Sequence, residues 1–332
     1  MLQFDYDIDD FMSYCQCQNL RPKTMQVYEQ TLRIFERYLV DLHHAECAED
    51  VKEGHIREYV KYLSERGKYT VVANEQSRKI NLPQNRIDLN KPMSKTTINN
   101  YLRNIKVFFN YLYENHYIKE NPIRRVKQLP NERKPVDFIS DDDFKKLISS
   151  LDMSKFHEYR DCTIIQLIID TGMRIGETLL IKLEDVDMNR KSIYLLPENT
   201  KGKKGRTVFF SAEMEKYLKR WLQFKDRYRD SEYLFCTNQG KPLSIANYET
   251  NFKAYSKRVG LDNAHPHMLR NNFAKRFLMN GGDIYTLSRI LGHSSVTVTE
   301  KAYLDLNDED LRINYAPYSP LEQIIKPNKG RY

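Results

Sequence analysis

From Thr24 to Leu39, and again from Thr97 to Leu112, apolar side chains recur every three or four residues, which commits the first part of the chain to amphipathic helices. Tyr28, Leu32, Phe35 and Leu39 share one face of the first segment; Tyr101, Ile105, Phe108 and Leu112 share one face of the second. Overlaid, the two segments carry Thr, Tyr, Phe, Tyr and Leu at five equivalent positions. An old duplication would explain this; two helices meeting the same packing demand explains it as well and is the preferred reading. Residues 51–66 predict a further helix with Ile56, Val60 and Leu63 inward, so residues 1–125 read as a helical domain. Between Gly67 and Pro92 the periodicity fails, and polar residues, Pro83 and several cations predict a long surface loop or a small hairpin. Residues 126–138 predict a linker: Pro130 and Pro135 favour an extended path, and Lys127, Arg133 and Lys134 suit a phosphate backbone.

A second domain is expected over 139–315. Ser140 followed by Asp141, Asp142 and Asp143 is a helix start, with a hydroxyl to cap and acids at the positive end of the dipole. A buried helix through Ile164, Ile165, Leu167 and Ile168 stops at Gly172, and another is expected from Ile175 to Ile181. Residues 192–196 and 207–210 read as two strands around a Lys/Gly-rich turn. Helices then dominate to about residue 314, and a proline-punctuated tail, 316–332, follows. The fold class expected is mainly α, with a small β-sheet in the second domain.

Composition bounds the partners. The chain has 332 residues, room for two ordinary domains, and 40% apolar with 30% charged residues is far from a disordered composition. A net charge of +8 suggests a polyanionic partner, although a merely basic protein accounts for the charge equally well. Cys15, Cys17, Cys47, Cys162 and Cys236 contain no second pair at zinc-ligand spacing, so reduced thiols and no metal site are expected. The acidic N-terminus is unlike a secretory leader, and no apolar run approaches the roughly 18 residues of a membrane span. A cytoplasmic protein without a cofactor is expected.

The chemistry lies in six scattered residues. Arg174, after the helix stop at Gly172, can fork onto two phosphate oxygens, with helix-start amides adding to the anion site; a surface arginine is the plainer alternative. Lys201 leads a turn with four cations in six residues, and a lysine there can protonate a departing 5′ oxygen; Lys203 and Lys204 are rivals for the role. With Arg206 these lysines are the expected DNA contacts of the turn, as Lys127, Arg133 and Lys134 are of the linker. His267 and Arg270, three apart at a helix start, share a face, whereas His265 falls off it. His293 follows a helix end at Leu291-Gly292 and Tyr303 comes ten residues later, with Val296 and Val298 expected to anchor its segment. A phenol titrates near about 10, so a nucleophilic tyrosine needs cations beside it. Tyr285 is expected to be packed or capped on its helix.

In this order, Thr171-Gly172-Met173-Arg174-Ile175-Gly176-Glu177, the turn lysine, His267-x-x-Arg270, Leu291-Gly292-His293 and the following tyrosine, the chain resembles the tyrosine recombinase (phage integrase) family over nearly its whole length. The resemblance implies a two-domain, C-shaped clamp around duplex DNA and site-specific strand exchange through a 3′-phosphotyrosyl intermediate and a Holliday junction. Phosphate binding falls to Arg174, Arg270 and His293, proton transfer to Lys201 and His267, and nucleophilic attack to Tyr303. It also implies a homo-tetramer on two duplexes, with the tail docking on a neighbour, and a nucleoid-associated location. An arm-binding domain is not expected, which favours a simple Xer-like or mobile-element type. The interval from His293 to Tyr303 is one residue longer than is usual in the family, so a local bulge is expected. The rivals are a type IB topoisomerase and a non-catalytic DNA-binding regulator on the same fold.

Overall fold

In the computed structural model, residues 3–73, 78–79, 83–130, 138–200 and 202–303 are described, with 312, 315 and 321; for 301–303 the description is of the backbone. The chain divides into two units, Met1–Arg133 and Lys134–Tyr332.

Among the described residues, the first unit is built on α1 (Gln3–Cys17), α2 (Pro22–His43), α3 (Glu53–Glu65) and α4 (Lys95–Glu114). The periodicity explains what they bury. Phe4, Ile8, Phe11 and Cys15 of α1, Leu32, Phe35 and Leu39 of α2, and Ile105, Phe108 and Leu112 of α4 meet in one core. Phe11 packs edge-on against Phe108 at 5.5 Å, and Phe35 against Tyr59 at 4.8 Å. Full burial of such side chains stabilises by roughly 1.5–3 kcal/mol each. The two repeat-like helices touch at equivalent positions. Asn104 Nδ2 donates to Thr31 Oγ1 at 3.0 Å, with both side chains buried. The shared pattern therefore serves a shared contact.

The segment 67–92 is closed at its base like a hairpin, because Lys68 N–H donates to Lys91 O and Asn90 N–H to Lys68 O. A Cβ at Gly67 would stand 2.5 Å from Asn90 Cα, so this neck requires glycine. The start of the expected linker is fastened to the first unit. Asn99 and Leu129 exchange two hydrogen bonds, at 2.9 and 2.8 Å, and Val126 and Leu129 pack on the core. Residues 131–137, with Arg133 and Lys134, lie outside the described residues.

The second unit opens with α5 (Asp141–Ser149), capped by Ser140 Oγ on Asp143 N–H at 3.1 Å. Next, α6 (Phe156–Thr171) is buried on all sides and so becomes the central helix. After α7 (Ile175–Thr178) come β1 (Val186–Asp187), β2 (Ser192–Leu195) and β3 (Arg206–Phe209), an antiparallel sheet in the order β1-β2-β3. Ile193 pairs with Val208 and Leu195 with Arg206; Ile193, Leu195 and Val208 face the core while Tyr194 and Phe209 face out. Among the described residues, helices α8 (Ala212–Tyr228), α9 (Ile245–Arg258), α10 (His267–Met279), α11 (Ile284–Leu291) and α12 (Val296–Tyr303) follow. Trp221 of α8 is fully buried and donates to Leu234 O at 2.9 Å. The protein is mainly α with a small three-stranded sheet.

Two elements differ from expectation. The helix after Arg174 ends at Thr178 instead of Ile181, because Ile181 O accepts from Leu234 N–H and Leu183 N–H donates to Glu232 O, each at 2.8 Å. Long-range pairing takes the backbone that the helix would have used. The two-residue β1 is too short to show alternation in the sequence.

Candidate active site

The central helix α6 ends at Gly172, whose left-handed backbone (φ +69°) turns the chain back. This position has no room for a side chain: a Cβ would meet Phe273 Cδ1 at 2.3 Å and Leu291 Cδ2 at 2.9 Å. The close approach brings α6, α10 and α11 together, and Gly172 O accepts from Arg270 Nη1 at 2.6 Å.

Around the C-terminal end of α11 three guanidiniums converge. Arg270, 1% exposed, donates through Nη2 to Leu291 O at 2.8 Å; Arg174 Nη1 reaches the same carbonyl at 3.4 Å; Arg206 Nε donates to Ile290 O at 2.9 Å. The last carbonyls of a helix are its negative end and favour cations. One carboxylate joins the group. Glu177, 2% exposed, accepts from Arg206 Nη1 and Nη2 at 3.1 and 2.7 Å, from Arg174 Nη1 at 3.0 Å and from Arg174 N–H at 3.0 Å. Desolvation would raise the Glu177 pKa, but Arg206 and then Arg174 outweigh it and hold the carboxyl below its ordinary value. Arg174 keeps 26% of its side chain exposed, so its fork remains reachable.

His293 follows the α11 cap Gly292 and sits between Arg270 and α12: Nε2 is 3.0 Å from Arg270 Nη2, and Nδ1 is 2.7 Å from Thr299 Oγ1. Desolvation, then Arg270, Arg174, Arg206 and His267, push its pKa down from 6.5 to about 4. The ring is therefore neutral near pH 7. His267 begins α10 one turn before Arg270 and remains open to solvent; partial desolvation, then Arg270, His265 and Arg174, lower its pKa.

The structure thus brings together Arg174, His267, Arg270 and His293. Lys201 lies outside the described residues, while Lys203 and Lys204 are exposed on the turn between β2 and β3. Lys127 is also exposed. Arg206, grouped by sequence with the exposed turn cations, has its guanidinium turned inward onto Glu177 and Ile290 O. Of the helix-start amides expected beside Arg174, the Arg174 N–H is taken by Glu177, at the start of an element four residues long. Tyr303 ends α12, which runs as an uninterrupted α-helix over Val296–Tyr303 instead of carrying the expected bulge. Of the two expected apolar anchors Val296 is half-buried, whereas Val298 is 44% exposed; among the described side chains of α12, the buried one is Thr299, at 0%. Tyr285 is held by the cap and not by packing: its backbone N–H donates to Asp283 Oδ1 at 2.9 Å, while the residue is 69% exposed.

Sequence reasoning gave no role to Glu177 or Thr299. The Arg174-x-x-Glu177 spacing, with an acid at the third helical position, was the available signal for Glu177. No local signal marks Thr299.

The match to known families agrees with this arrangement. Residues 137–310 match the phage integrase family, and residues 8–128 match the phage integrase SAM-like domain. The chain belongs to the phage integrase family, the tyrosine-type site-specific recombinases, and its reaction is the cleavage and rejoining of DNA strands. It is 33% identical over 218 residues to tyrosine recombinase XerC of Thermodesulfovibrio yellowstonii, covering 63% of this chain and 71% of that protein. To XerC of Oceanobacillus iheyensis it is 25% identical over 329 residues, 96% of this chain and 98% of that one. It shares its fold with the Tn1549 transposon integrase solved in complex with a circular intermediate DNA (TM-score 0.71, 18% identity, 94% and 98% of the two chains). The same holds for XerH recombinase bound to a palindromic difH substrate (TM-score 0.66, 21% identity, 92% and 82%). No helix among the described residues is long and apolar enough to cross a membrane.

Proposed function

We propose that this recombinase binds duplex DNA and holds the scissile phosphate with Arg174, Arg270 and His293. The observation that carries this is the convergence of Arg270, Arg174 and Arg206 at the end of α11 beside two histidines. Fixed cations aimed where charge develops stabilise the transition state without reorganising. Tyr303 is the nucleophile. Its oxygen bonds to phosphorus, its proton passes to His267, which desolvation and then the neighbouring cations favour as a free base, and the P–O5′ bond breaks. Lys201 donates the proton that the departing 5′ oxygen takes up. The product is a 3′-phosphotyrosine and a free 5′-hydroxyl, and a 5′-hydroxyl from a partner duplex reverses the step.

Four protomers act on two duplexes, through a Holliday junction, in the cytoplasm at the nucleoid. The tail, 316–332, docks on a neighbour, and the two units close on the duplex as a clamp joined by the linker at 126–138. Exposed Lys203, Lys204 and Lys127 contact the DNA backbone, as do Arg133 and Lys134. Arg206 acts through Glu177, which aligns Arg174. The proposed step draws its positive charge from side chains, so it proceeds without Mg²⁺. A two-site substrate incubated in excess EDTA tests the reading, with covalent protein–DNA adduct and Holliday junctions expected. Loss of the adduct in EDTA would overturn the metal-independent step; relaxation without junctions would point to topoisomerase chemistry instead.

A further inference from the structure

Thr299 belongs to α12, the helix that ends at Tyr303, yet its hydroxyl lies 2.7 Å from His293 Nδ1. It is wholly buried, whereas its neighbours Val298 and Glu300 are exposed. The other ring nitrogen, Nε2, faces Arg270 Nη2 at 3.0 Å. A guanidinium has only N–H donors, so Nε2 must accept. In the neutral ring, the form favoured by burial and the surrounding arginines, the single proton is then on Nδ1 and is donated to Thr299 Oγ1. Position 303 follows 299 by four residues, which places both on one face of α12. Position 303 thus lies, by its place in the helix, on the face of α12 that meets His293.

We propose that Thr299 is a positioning residue: its hydroxyl fixes the Nδ1–H tautomer of His293 and, one turn before Tyr303, ties the nucleophile's helix to the phosphate site. The coupling rests on the reading of Tyr303 as nucleophile; the tautomer does not. With Nδ1–H held by Thr299, Nε2 accepts from Arg270 in the DNA-free protein; a phosphate oxygen is itself an acceptor, so Nε2 takes up a proton to bind it while Nδ1–H stays on Thr299. Loss of the hydroxyl frees the ring to flip and α12 to slide, and misplacement by about 1 Å is enough to cost on the order of 10²-fold in rate.

Two substitutions separate the hydroxyl from the shape of the side chain. Thr299→Val keeps the shape and loses the hydrogen bond; Thr299→Ser keeps the bond and loses the methyl. Single-turnover cleavage of a nicked suicide substrate is expected to fall roughly 10- to 100-fold in Thr299→Val, with DNA affinity and Tm close to wild type. In Thr299→Ser the rate should stay within about threefold of wild type. Nitrogen-15 spectra of the DNA-free full chain should give the Nδ1–H signature for His293 in wild type and Thr299→Ser, and a mixed tautomer in Thr299→Val. A Thr299→Val variant as fast as wild type, a Thr299→Ser variant as slow as Thr299→Val, or an unchanged tautomer in Thr299→Val would overturn the proposal. Mapping the wild-type phosphotyrosine to a residue other than Tyr303 would overturn the nucleophile reading and with it the coupling. The spectra, recorded without DNA, report on the tautomer separately.

Discussion

At the residue scale, the site is a balance between arginines and the groups that hold them. His293 illustrates the consequence for pH. Desolvation, then Arg270 and the other cations, lower its pKa from 6.5 to about 4, so folding favours the neutral ring. A depressed pKa gives stability that is present above the unfolded value and is lost as pH falls through the folded one. The second unit should therefore lose stability between about pH 6.5 and 4, and part of that loss should vanish in His293→Gln. Thermal unfolding followed across this range checks it; parallel pH dependences for the two proteins would contradict it. Lys201 carries a different prediction. Lys201→Ala should slow cleavage far more than it weakens DNA binding, and a substrate with sulfur at the bridging 5′ position, which leaves without a proton, should restore the rate. Failure of that rescue would make Lys201 a phosphate contact or move the acid to Lys203 or Lys204.

At the scale of elements, the junction of α6, α10 and α11 sets the position of Arg270, and Gly172 is its tightest point. Gly172→Ala adds a left-handed alanine, at roughly 1–2 kcal/mol, and an overpacked contact with Phe273, at roughly 1–3 kcal/mol. Urea denaturation should report a loss of about 2–5 kcal/mol, together with weaker cleavage as Gly172 O shifts from Arg270. A loss below about 1 kcal/mol would mean that the junction yields easily. What the sequence disclosed at this scale follows from periodicity. The helices of the first unit, the Ser140 cap and the stop at Gly172 are local patterns and were legible. Where distant chain segments decide, sequence reading failed. The helix after Arg174 is cut short by backbone pairing with residues 232–234. Val298 was expected to anchor α12 because it is apolar, yet the helix turns Thr299 inward, where a histidine waits for it. Arg206 reads as one more cation of a basic turn until Glu177 is seen beneath it.

At the scale of the whole molecule, two family matches, one to each part of the chain, place a SAM-like helical domain ahead of a catalytic domain in a site-specific recombinase. The basic net charge of +8 suits a polyanionic partner, but the class was legible through the order of short motifs rather than through charge. The central claim is that Tyr303 becomes covalently bound to DNA at the site formed by Arg174, Arg270 and His293. Among the described tyrosines, Tyr285 and Tyr315 are exposed rivals, at 69% and 64%. The most direct test is to trap the adduct on a suicide substrate, digest it and map the modified peptide, with Tyr303→Phe treated in parallel. The account predicts a phosphotyrosine at Tyr303, and a Tyr303→Phe protein that binds its site normally and forms no adduct. Recovery of the modification at Tyr285, Tyr315 or another tyrosine, or continued cleavage by Tyr303→Phe, would contradict it.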